Sequence, residues 1–358
     1  MKKVAIIGTV GVPARYGGFE TLVENIIGQN SLQKVEYTVY CSSKSYDEYL
    51  NEYKGALLRY IPLKANGAQS IPYDILSIIH AIHKSDVLLI LGVSGCVILP
   101  IIRLVCRKKI IVNIDGLEHR RDKWNLMVRK FLKLSEKIAI HNSDIVVSDN
   151  KAIQDYVRNE YGVESVLIAY GGDHVKCDIC GIEAEILSKY ALVPQKYSFS
   201  LCRIEPENNV HIILEAFAQN GRKLLFVGNW NNSEYGKSLL EKYGSYENIK
   251  MLPPIYDLST LNVLRSNCQF YLHGHSAGGT NPSLVEAMFF GKPILAFDCS
   301  YNRESTENRA HYFADHHQLK ELMNNEYLYF ETNGKDMFEI ANRRYLWEII
   351  AKQYECLY

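Results

Sequence analysis

Short apolar runs alternate with helical segments from one end of the chain to the other. The apolar runs suit strands buried on both faces, and the segments between them carry apolar residues at i, i+3 and i+4. Such alternation is typical of α/β units on parallel sheets, and 358 residues suffice for two sheets. The predicted strands are 3–7, 37–41, 86–91, 110–114 and 144–148 in the first half, and 165–169, 197–202, 223–227, 248–252, 268–272 and 293–297 in the second.

Glycines interrupt the pattern at 170–173, and a new series of strands begins soon afterwards. We therefore predict a first domain over 1–170, a second over 171–340 and a last segment over 341–358. The last segment has Leu346, Trp347, Ile350 and Tyr354 at the spacing of an amphipathic helix.

Charge and cysteine content exclude several classes of protein. Lys+Arg and Asp+Glu number 40 each, so no overall field attracts nucleic acid, and any anion site must be local. Nine scattered cysteines indicate reduced thiols in the cytoplasm. The opening apolar run is too short for a signal peptide, and the apolar stretch 87–102 is read as a buried strand and helix, being short for a membrane span.

A glycine-rich loop, 8–18, lies between the first predicted strand and a helix. Such a turn lets backbone amides and a helix N-terminus approach an anion. The spacing of Gly8 and Gly11 does not match a dinucleotide fingerprint. Gly17 and Gly18 either allow tight packing of the helix against the strand or allow an anion to approach the backbone. Arg15 in the same loop favours the second interpretation, the binding of phosphate or substrate.

A second strand–loop–helix unit covers 268–290. Asn281 suits the N-cap of its helix and Pro282 the first helical position, and the glycines before them leave amides accessible to a diphosphate. Glu286 on this helix either accepts hydrogen bonds from sugar hydroxyls or is an ordinary capping or surface carboxylate. Arg203, at the end of a predicted strand, either binds phosphate bidentately or forms a salt bridge.

Two long blocks carry a resemblance to a known family. They read IGTVGVPARYGGFET at 7–21 and HGHSAGGTNPSLVEAM at 273–288. Together they resemble the retaining family-four glycosyltransferases of GT-B fold, and within these the bacterial rhamnosyltransferase subgroup that builds capsule, O-antigen and cell-wall polysaccharides. The resemblance implies an α/β fold of two Rossmann-like domains facing across a cleft, with acceptor bound by the first, nucleotide sugar by the second, and the C-terminal helix returning to the first.

The resemblance also implies roles for single residues. In the family an Arg and a Lys five residues later bind the donor diphosphate; Arg203 matches the Arg, and Asn208 stands in place of the Lys. Of a Glu-x7-Glu pair, Glu286 matches the second member, which binds the ribose, and Gly278 replaces the first. Donors of the glucose type then lose a carboxylate partner, which favours a deoxy sugar such as rhamnose. The expected donor-binding residues are Gly17, Gly18, Arg203, Asn208, Gly279, Thr280, Asn281, Ser283 and Glu286.

The implied reaction is front-face substitution with retention, in which the leaving phosphate helps to deprotonate the acceptor, and no metal or cofactor is expected. Candidate catalytic residues are Asp115, His119 and Arg15, although Asp115 before a glycine is also typical of a turn. Candidate acceptor-binding residues are Tyr16, Glu20 and Glu118.

The segment 119–137 has seven basic and two acidic residues, a local charge of +5. Trp124, Met127, Phe131 and Leu134 lie at helical spacing between the charges. Such a helix suits an anionic bilayer that presents a lipid-diphosphate-linked acceptor, and the alternative is a solvated basic face on a core helix. Cys177 and Cys180 have metal or redox spacing but no second ligand pair nearby.

The sequence therefore predicts a metal-independent retaining glycosyltransferase at the inner face of the cell membrane. The preferred reaction transfers rhamnose from dTDP-rhamnose to a lipid-linked saccharide. The alternatives are a UDP- or GDP-sugar donor, and a non-catalytic protein that binds nucleotide sugars.

Overall fold

The computed structural model describes residues 1–15, 17–30, 34–114, 116–120, 124–325 and 330–358. It divides into two compact units, one formed by 1–170 with 347–358 and the other by 171–346. All nine cysteines are among the described residues, and all are free thiols.

The first unit is built on an eight-stranded sheet of order β3-β4-β2-β1-β5-β6-β7-β8. All neighbouring strands are parallel except β3 and β4, which form an antiparallel edge. Its strands are β1 (Lys2–Ile7), β2 (Val35–Ser42), β3 (Glu52–Tyr53), β4 (Ala56–Ile61), β5 (Val87–Leu91), β6 (Lys109–Asn113), β7 (Ile145–Ser148) and β8 (Val166–Leu167). The central strands are apolar on both faces because helices cover both sides of the sheet.

The described residues of this unit form the α-helices α1 (Gly18–Gly28), α2 (Ser70–Ala81), α3 (Leu99–Val105), α4 (Leu126–Asn142), α5 (Lys151–Tyr161) and the terminal α14 (Trp347–Glu355). The expected return of the C-terminal helix to the first unit is confirmed. Trp347, Ile350 and Tyr354 of α14 lie in the same buried cluster as Ile26 of α1. Asn113 at the end of β6 donates its amide to the Tyr354 hydroxyl at 2.7 Å.

The second unit is built on a six-stranded parallel sheet of order β11-β10-β9-β12-β13-β14. Its strands are β9 (Ser198–Leu201), β10 (Leu224–Val227), β11 (Ile249–Leu252), β12 (Phe270–His273), β13 (Ile294–Phe297) and β14 (His311–Phe313). Its helices are α6 (Glu183–Lys189), α7 (Val210–Asn220), α8 (Glu234–Tyr243), α9 (Leu258–Asn267), α10 (Pro282–Met288), α11 (Ser300–Ser305), α12 (His316–Asn324) and α13 (Phe330–Arg344).

The predicted class, two parallel α/β sheets, is confirmed, with one correction. The strand predicted at 165–169 was assigned to the second half of the chain, but β8 pairs with β7 through Val166 and Val147 and is the last strand of the first sheet. The apolar stretch 87–102 forms β5, a short 3-10 turn and the start of α3. Within the described part of the chain, no helix combines the length and apolar character needed to cross a membrane.

Candidate functional site

The glycine-rich loop after β1 is organised around Glu20. The Glu20 side chain is buried, and its Oε1 accepts hydrogen bonds from the Thr9 hydroxyl at 2.9 Å and the Val10 amide at 2.7 Å. Gly17 has φ +128°, and a Cβ there would lie 1.9 Å from Glu20 Oε2. The Glu20 carboxylate therefore stabilises the loop, and its predicted contact with acceptor stays a prediction.

Arg15 of the same loop is exposed and lies beside the segment that follows β2. Its guanidinium donates to the Ser45 carbonyl at 3.1 Å, lies 3.7 Å from Asp47 and stacks 5.1 Å from the centre of the Tyr46 ring. This arrangement keeps a cation at the carboxyl edge of the first sheet, where ligands of open α/β sheets bind. Tyr16, a predicted acceptor ligand, lies outside the described residues.

A turn of 3-10 helix, Glu118–Arg120, follows β6 at that edge. The Glu118 carboxylate accepts a hydrogen bond from the Trp124 indole at 3.0 Å. Nδ1 of His119 lies 3.0 Å from Oε2 of Glu136, a buried residue of α4. Two predicted residues, Glu118 and His119, therefore lie in one turn, while Asp115 is outside the described residues.

In the second unit, the loop after β12 leads into α10 as the sequence predicted. Asn281 is the N-cap, with its side-chain oxygen accepting from the Ser283 amide at 3.1 Å and the Ser283 hydroxyl at 2.9 Å. Pro282 is the first helical residue. Because β12 and α10 meet here, the loop amides of 279–281 lie at the carboxyl edge of the second sheet.

Glu286 of α10 belongs to an ion-pair cluster that the sequence analysis missed. Its Oε2 lies 2.5 Å from Nη2 of Arg265 on α9, and its Oε1 lies 3.5 Å from Nε2 of His174. The Arg265 side chain is 2% exposed and that of Glu286 16%. Burial raises the pKa of Glu286, whereas Arg265 and His174 lower it, and the net pKa is below its usual value. Glu286 is thus an ionised and oriented carboxylate rather than a solvated surface one.

Two other predicted diphosphate ligands, Arg203 and Asn208, lie after β9 and differ in their exposure. Nearly half of the Arg203 side chain is exposed, and its Nη1 lies 3.7 Å from Glu205 Oε1, which leaves the guanidinium accessible. Asn208 is buried, and its amide donates to the Arg203 carbonyl at 2.7 Å. The amide nitrogen of Asn208 thus stabilises the turn that carries Arg203, and the contact of Asn208 with donor stays a prediction.

Two histidines at the end of β12 stack on each other, and the sequence did not predict this contact. The rings of His273 and His275 are 4.4 Å apart and inclined by 10°. His273 is buried, neither ring nitrogen has a hydrogen-bond partner among the described residues, and burial lowers its pKa to about 3. His273 is therefore neutral at physiological pH and packs beneath the loop. The only local signal was the alternation of the two histidines after a strand.

The described residues contain no cluster of three or more His, Cys, Asp or Glu side chains suited to a metal ion. The expectation of a metal-free reaction stays a prediction. The second unit has an accessible arginine, loop amides and an ionised carboxylate at one edge of its sheet. The arginine and the amides can donate hydrogen bonds to a diphosphate, and the carboxylate can accept hydrogen bonds from sugar hydroxyls.

Two families match the chain. Residues 1–173 match a domain of unknown function (DUF1972), and residues 183–336 match the glycosyl transferases group 1. No curated protein sequence matches the chain.

Solved structures match the chain over almost its whole length. Sucrose-phosphate synthase from Thermosynechococcus elongatus superposes with a TM-score of 0.83 at 16% identity, over 100% of this chain and 98% of that one. HepE from Anabaena in complex with UDP-glucose superposes with a TM-score of 0.77 at 15% identity, over 100% of this chain and 99% of HepE. WaaG, a glycosyltransferase involved in lipopolysaccharide biosynthesis, superposes with a TM-score of 0.74 at 15% identity, over 99% of each chain. Likenesses at these identities establish the fold.

Proposed function

We propose that this chain, which has the fold of GT-B glycosyltransferases and whose residues 183–336 match the glycosyl transferases group 1, transfers L-rhamnose, with retention, from dTDP-rhamnose to a lipid-linked saccharide. The observation that carries the proposal is the oriented carboxylate of Glu286 on the helix that follows the loop amides of 279–281. A carboxylate with an oxygen directed by Arg265 suits the ribose hydroxyls of a nucleotide, and the loop amides suit its diphosphate.

The choice of donor sugar rests on Gly278. In the glycosyltransferases that this chain resembles, a glutamate at that position contacts the sugar. Gly278 has φ +122° and no neighbouring atom within 4 Å of the position of a Cβ. A sugar bound there meets open space instead of a carboxylate, which favours a 6-deoxy hexose with fewer hydroxyl groups to satisfy.

The proposed reaction breaks the bond between the anomeric carbon and the β-phosphate and forms a bond from the acceptor oxygen to the same face of that carbon. The acceptor proton passes to the departing phosphate. The chain contributes charge and position: Arg203 and the loop amides stabilise the charge that develops on the phosphate, and Glu286 orients the nucleotide.

We also propose that an anionic membrane surface presents the acceptor, at the cytoplasmic face. The exposed face of α4 carries Leu126, Met127, Lys130, Leu134 and Lys137. The one carboxylate of the helix, Glu136, is buried on the opposite side. Of the residues predicted for this face, Trp124 and Phe131 are half-buried, and 121–123 lie outside the described residues.

The neighbouring helix α3 extends this surface. Ile101, Leu104 and Val105 are 61%, 85% and 73% exposed, which is unusual for three large apolar side chains on one short helix. α3 packs along α4, with Arg103 donating to the Asn142 carbonyl at 2.7 Å. Apolar side chains flanked by lysines suit the interfacial region of an anionic bilayer, where each cation contributes about 1 kcal/mol.

A ligand-dependent melt tests the donor. The purified protein is heated with dTDP-rhamnose, UDP-glucose, GDP-mannose or NAD, because a ligand of the folded state raises the midpoint by mass action. We expect a shift with dTDP-rhamnose that Glu286→Gln abolishes and that Glu241→Gln, an exposed carboxylate on α8, leaves intact. A shift with NAD alone would refute the proposal.

The UDP complexes of HepE favour one alternative, a UDP-sugar donor. A melting shift with UDP-glucose but not dTDP-rhamnose would select it, and a shift with GDP-mannose alone would select a GDP-sugar. Radiolabelled sugar transfer to a membrane lipid fraction separates enzyme from binder. Binding without transfer to any lipid fraction supports the non-catalytic alternative.

A further inference from the structure

A buried carboxylate lies directly behind His119. The side chain of Glu136 is 3% exposed, and both of its oxygens have partners. Oε2 faces Nδ1 of His119 at 3.0 Å, and Oε1 accepts from the hydroxyls of Tyr156 at 2.7 Å and Tyr161 at 2.6 Å, both on α5. Because α4 and α5 supply the other groups, the carboxylate is held by the body of the unit rather than by the turn that carries His119.

Glu136 remains ionised in this site. Burial raises its pKa, but hydrogen bonds from His119, Tyr161 and Tyr156 outweigh that effect, and the net pKa lies below the usual value. Lys133 adds a positive charge, since its Nζ lies 3.7 Å from Glu136 Oε1 and also contacts the Tyr156 hydroxyl. An ionised carboxylate has no proton to donate, so the hydrogen atom between it and His119 must belong to Nδ1.

This assignment determines the chemistry of the other ring nitrogen. In a neutral imidazole protonated at Nδ1, Nε2 carries a lone pair and accepts a hydrogen bond. No described residue forms a hydrogen bond with Nε2 of His119. The backbone of the turn is also anchored, because Arg129 Nε donates to the His119 carbonyl at 2.9 Å. The turn follows β6 at the carboxyl edge of the sheet, where substrates of open α/β sheets bind.

We propose that Glu136 is a positioning residue that keeps His119 in the Nδ1-protonated tautomer, so that Nε2 accepts a hydrogen bond from a substrate sugar hydroxyl. The identity of that hydroxyl rests on the proposed function, whereas the tautomer does not. Nothing in the periodicity of the sequence indicated this pair, which is separated by 17 residues.

The tautomer is measured by long-range proton–nitrogen correlation spectra of protein labelled with ¹⁵N-histidine, with the His119 signals identified by their loss in His119→Gln. We expect the wild-type proton on Nδ1. Glu136→Gln offers an amide that donates as readily as it accepts, so the proton should move at least in part to Nε2. Glu160→Gln is the matched control, because Glu160 contacts Lys133 at 2.9 Å but does not contact His119.

Transfer kinetics supply the second readout. Glu136→Gln should lower kcat by about tenfold or more while the KM for donor changes less than about twofold, as expected when a group is misplaced and binding is retained. Glu160→Gln should behave as wild type. If Glu136→Gln does not fold, Glu136→Asp keeps the charge and withdraws the carboxylate by one methylene, and the same two readouts apply.

Three results would overturn the proposal: a wild-type proton on Nε2, an unchanged tautomer in the Glu136 variant, or an equal loss of kcat in Glu160→Gln. A wild-type protein that transfers no sugar would refute the proposed function instead. The spectra would then still decide whether Glu136 determines the tautomer of His119.

Discussion

Arg265 and Glu286 form an ion pair across two helices of the second unit, with Nη2 and Oε2 2.5 Å apart and the arginine side chain almost wholly buried. A buried charge without its partner is far less stable than the pair, because water cannot replace the lost interaction. The pair therefore couples the stability of the unit to the orientation of the carboxylate proposed to bind ribose.

Arg265→Met should reduce the free energy of unfolding by about 3–5 kcal/mol, since it leaves Glu286 without its main cation. Chemical denaturation followed by fluorescence measures the loss. Arg309→Met is the matched control, because Arg309 pairs with Asp336 at 2.9 Å with half of its side chain exposed. That exposed pair should be worth less than about 1 kcal/mol. Equal losses in the two variants would contradict a special role for Arg265.

The same pair predicts a dependence on pH. The pKa of Glu286 in the folded protein is below its usual value, so the unfolded chain binds its proton first as pH falls. The stabilisation is complete above the unfolded pKa and is lost as pH falls through the folded pKa. Glu286→Gln should therefore flatten the acid limb of a plot of melting temperature against pH below about 4.5. An unchanged acid limb would show that the fold does not lower the pKa of Glu286.

The glycine-rich loop yields a steric prediction. Gly17→Ala should destabilise the protein by about 1–3 kcal/mol, because Gly17 has φ +128° and the new Cβ would lie 1.9 Å from Glu20 Oε2. Gly162→Ala is the control, with φ +66° and nothing within 4 Å of its Cβ. The difference in denaturation midpoint isolates the contact with Glu20, and a zero difference would show that the loop relaxes freely.

Local pattern was sufficient for most strands of the two sheets and for the start of α10. The short apolar runs of β1, β5 and β10 predict buried strands, and Asn281 followed by Pro282 predicts the start of α10. β4, the second strand from the edge, was not predicted because it mixes apolar residues with the exposed Arg59, and the edge strand β3 is only two residues long.

Partners of polar groups could not be predicted in the same way. Periodicity shows which face of a helix is buried, but not which polar atoms meet inside it. Arg265 and Glu286 lie on different helices, and Glu136 meets His119 only because α4 folds back under the turn after β6. Asn208 and Glu20 were predicted as ligands from the family resemblance, which did not show that Asn208 also stabilises the turn after β9 and Glu20 the loop before α1.

The exposed apolar face of α3 predicts binding to lipid. The double variant Ile101→Ser, Leu104→Ser should weaken cosedimentation with vesicles of phosphatidylcholine and phosphatidylglycerol, because the two side chains would otherwise leave water. Val193→Ser, at an exposed apolar residue of the second unit, should have no effect. Unchanged sedimentation of the double variant would remove α3 from the proposed membrane surface, and a change of oligomeric state alone would indicate a contact between copies.

His273 gives the last prediction, because it is a buried imidazole whose nitrogens lack hydrogen bonds among the described residues. Burial lowers its pKa to about 3, so between this pH and the ordinary value of 6.5 the unfolded chain binds a proton that the folded chain does not. The contribution of His273 to the free energy of unfolding therefore falls as pH drops below 6.5, by up to about 1.4 kcal/mol per pH unit. His273→Phe keeps a ring against His275 and should remove that part of the slope while raising stability near pH 5. Urea denaturation of both proteins at pH 5 and pH 8 measures the difference, and a gap of equal size at both values would show that His273 is not neutral in the fold.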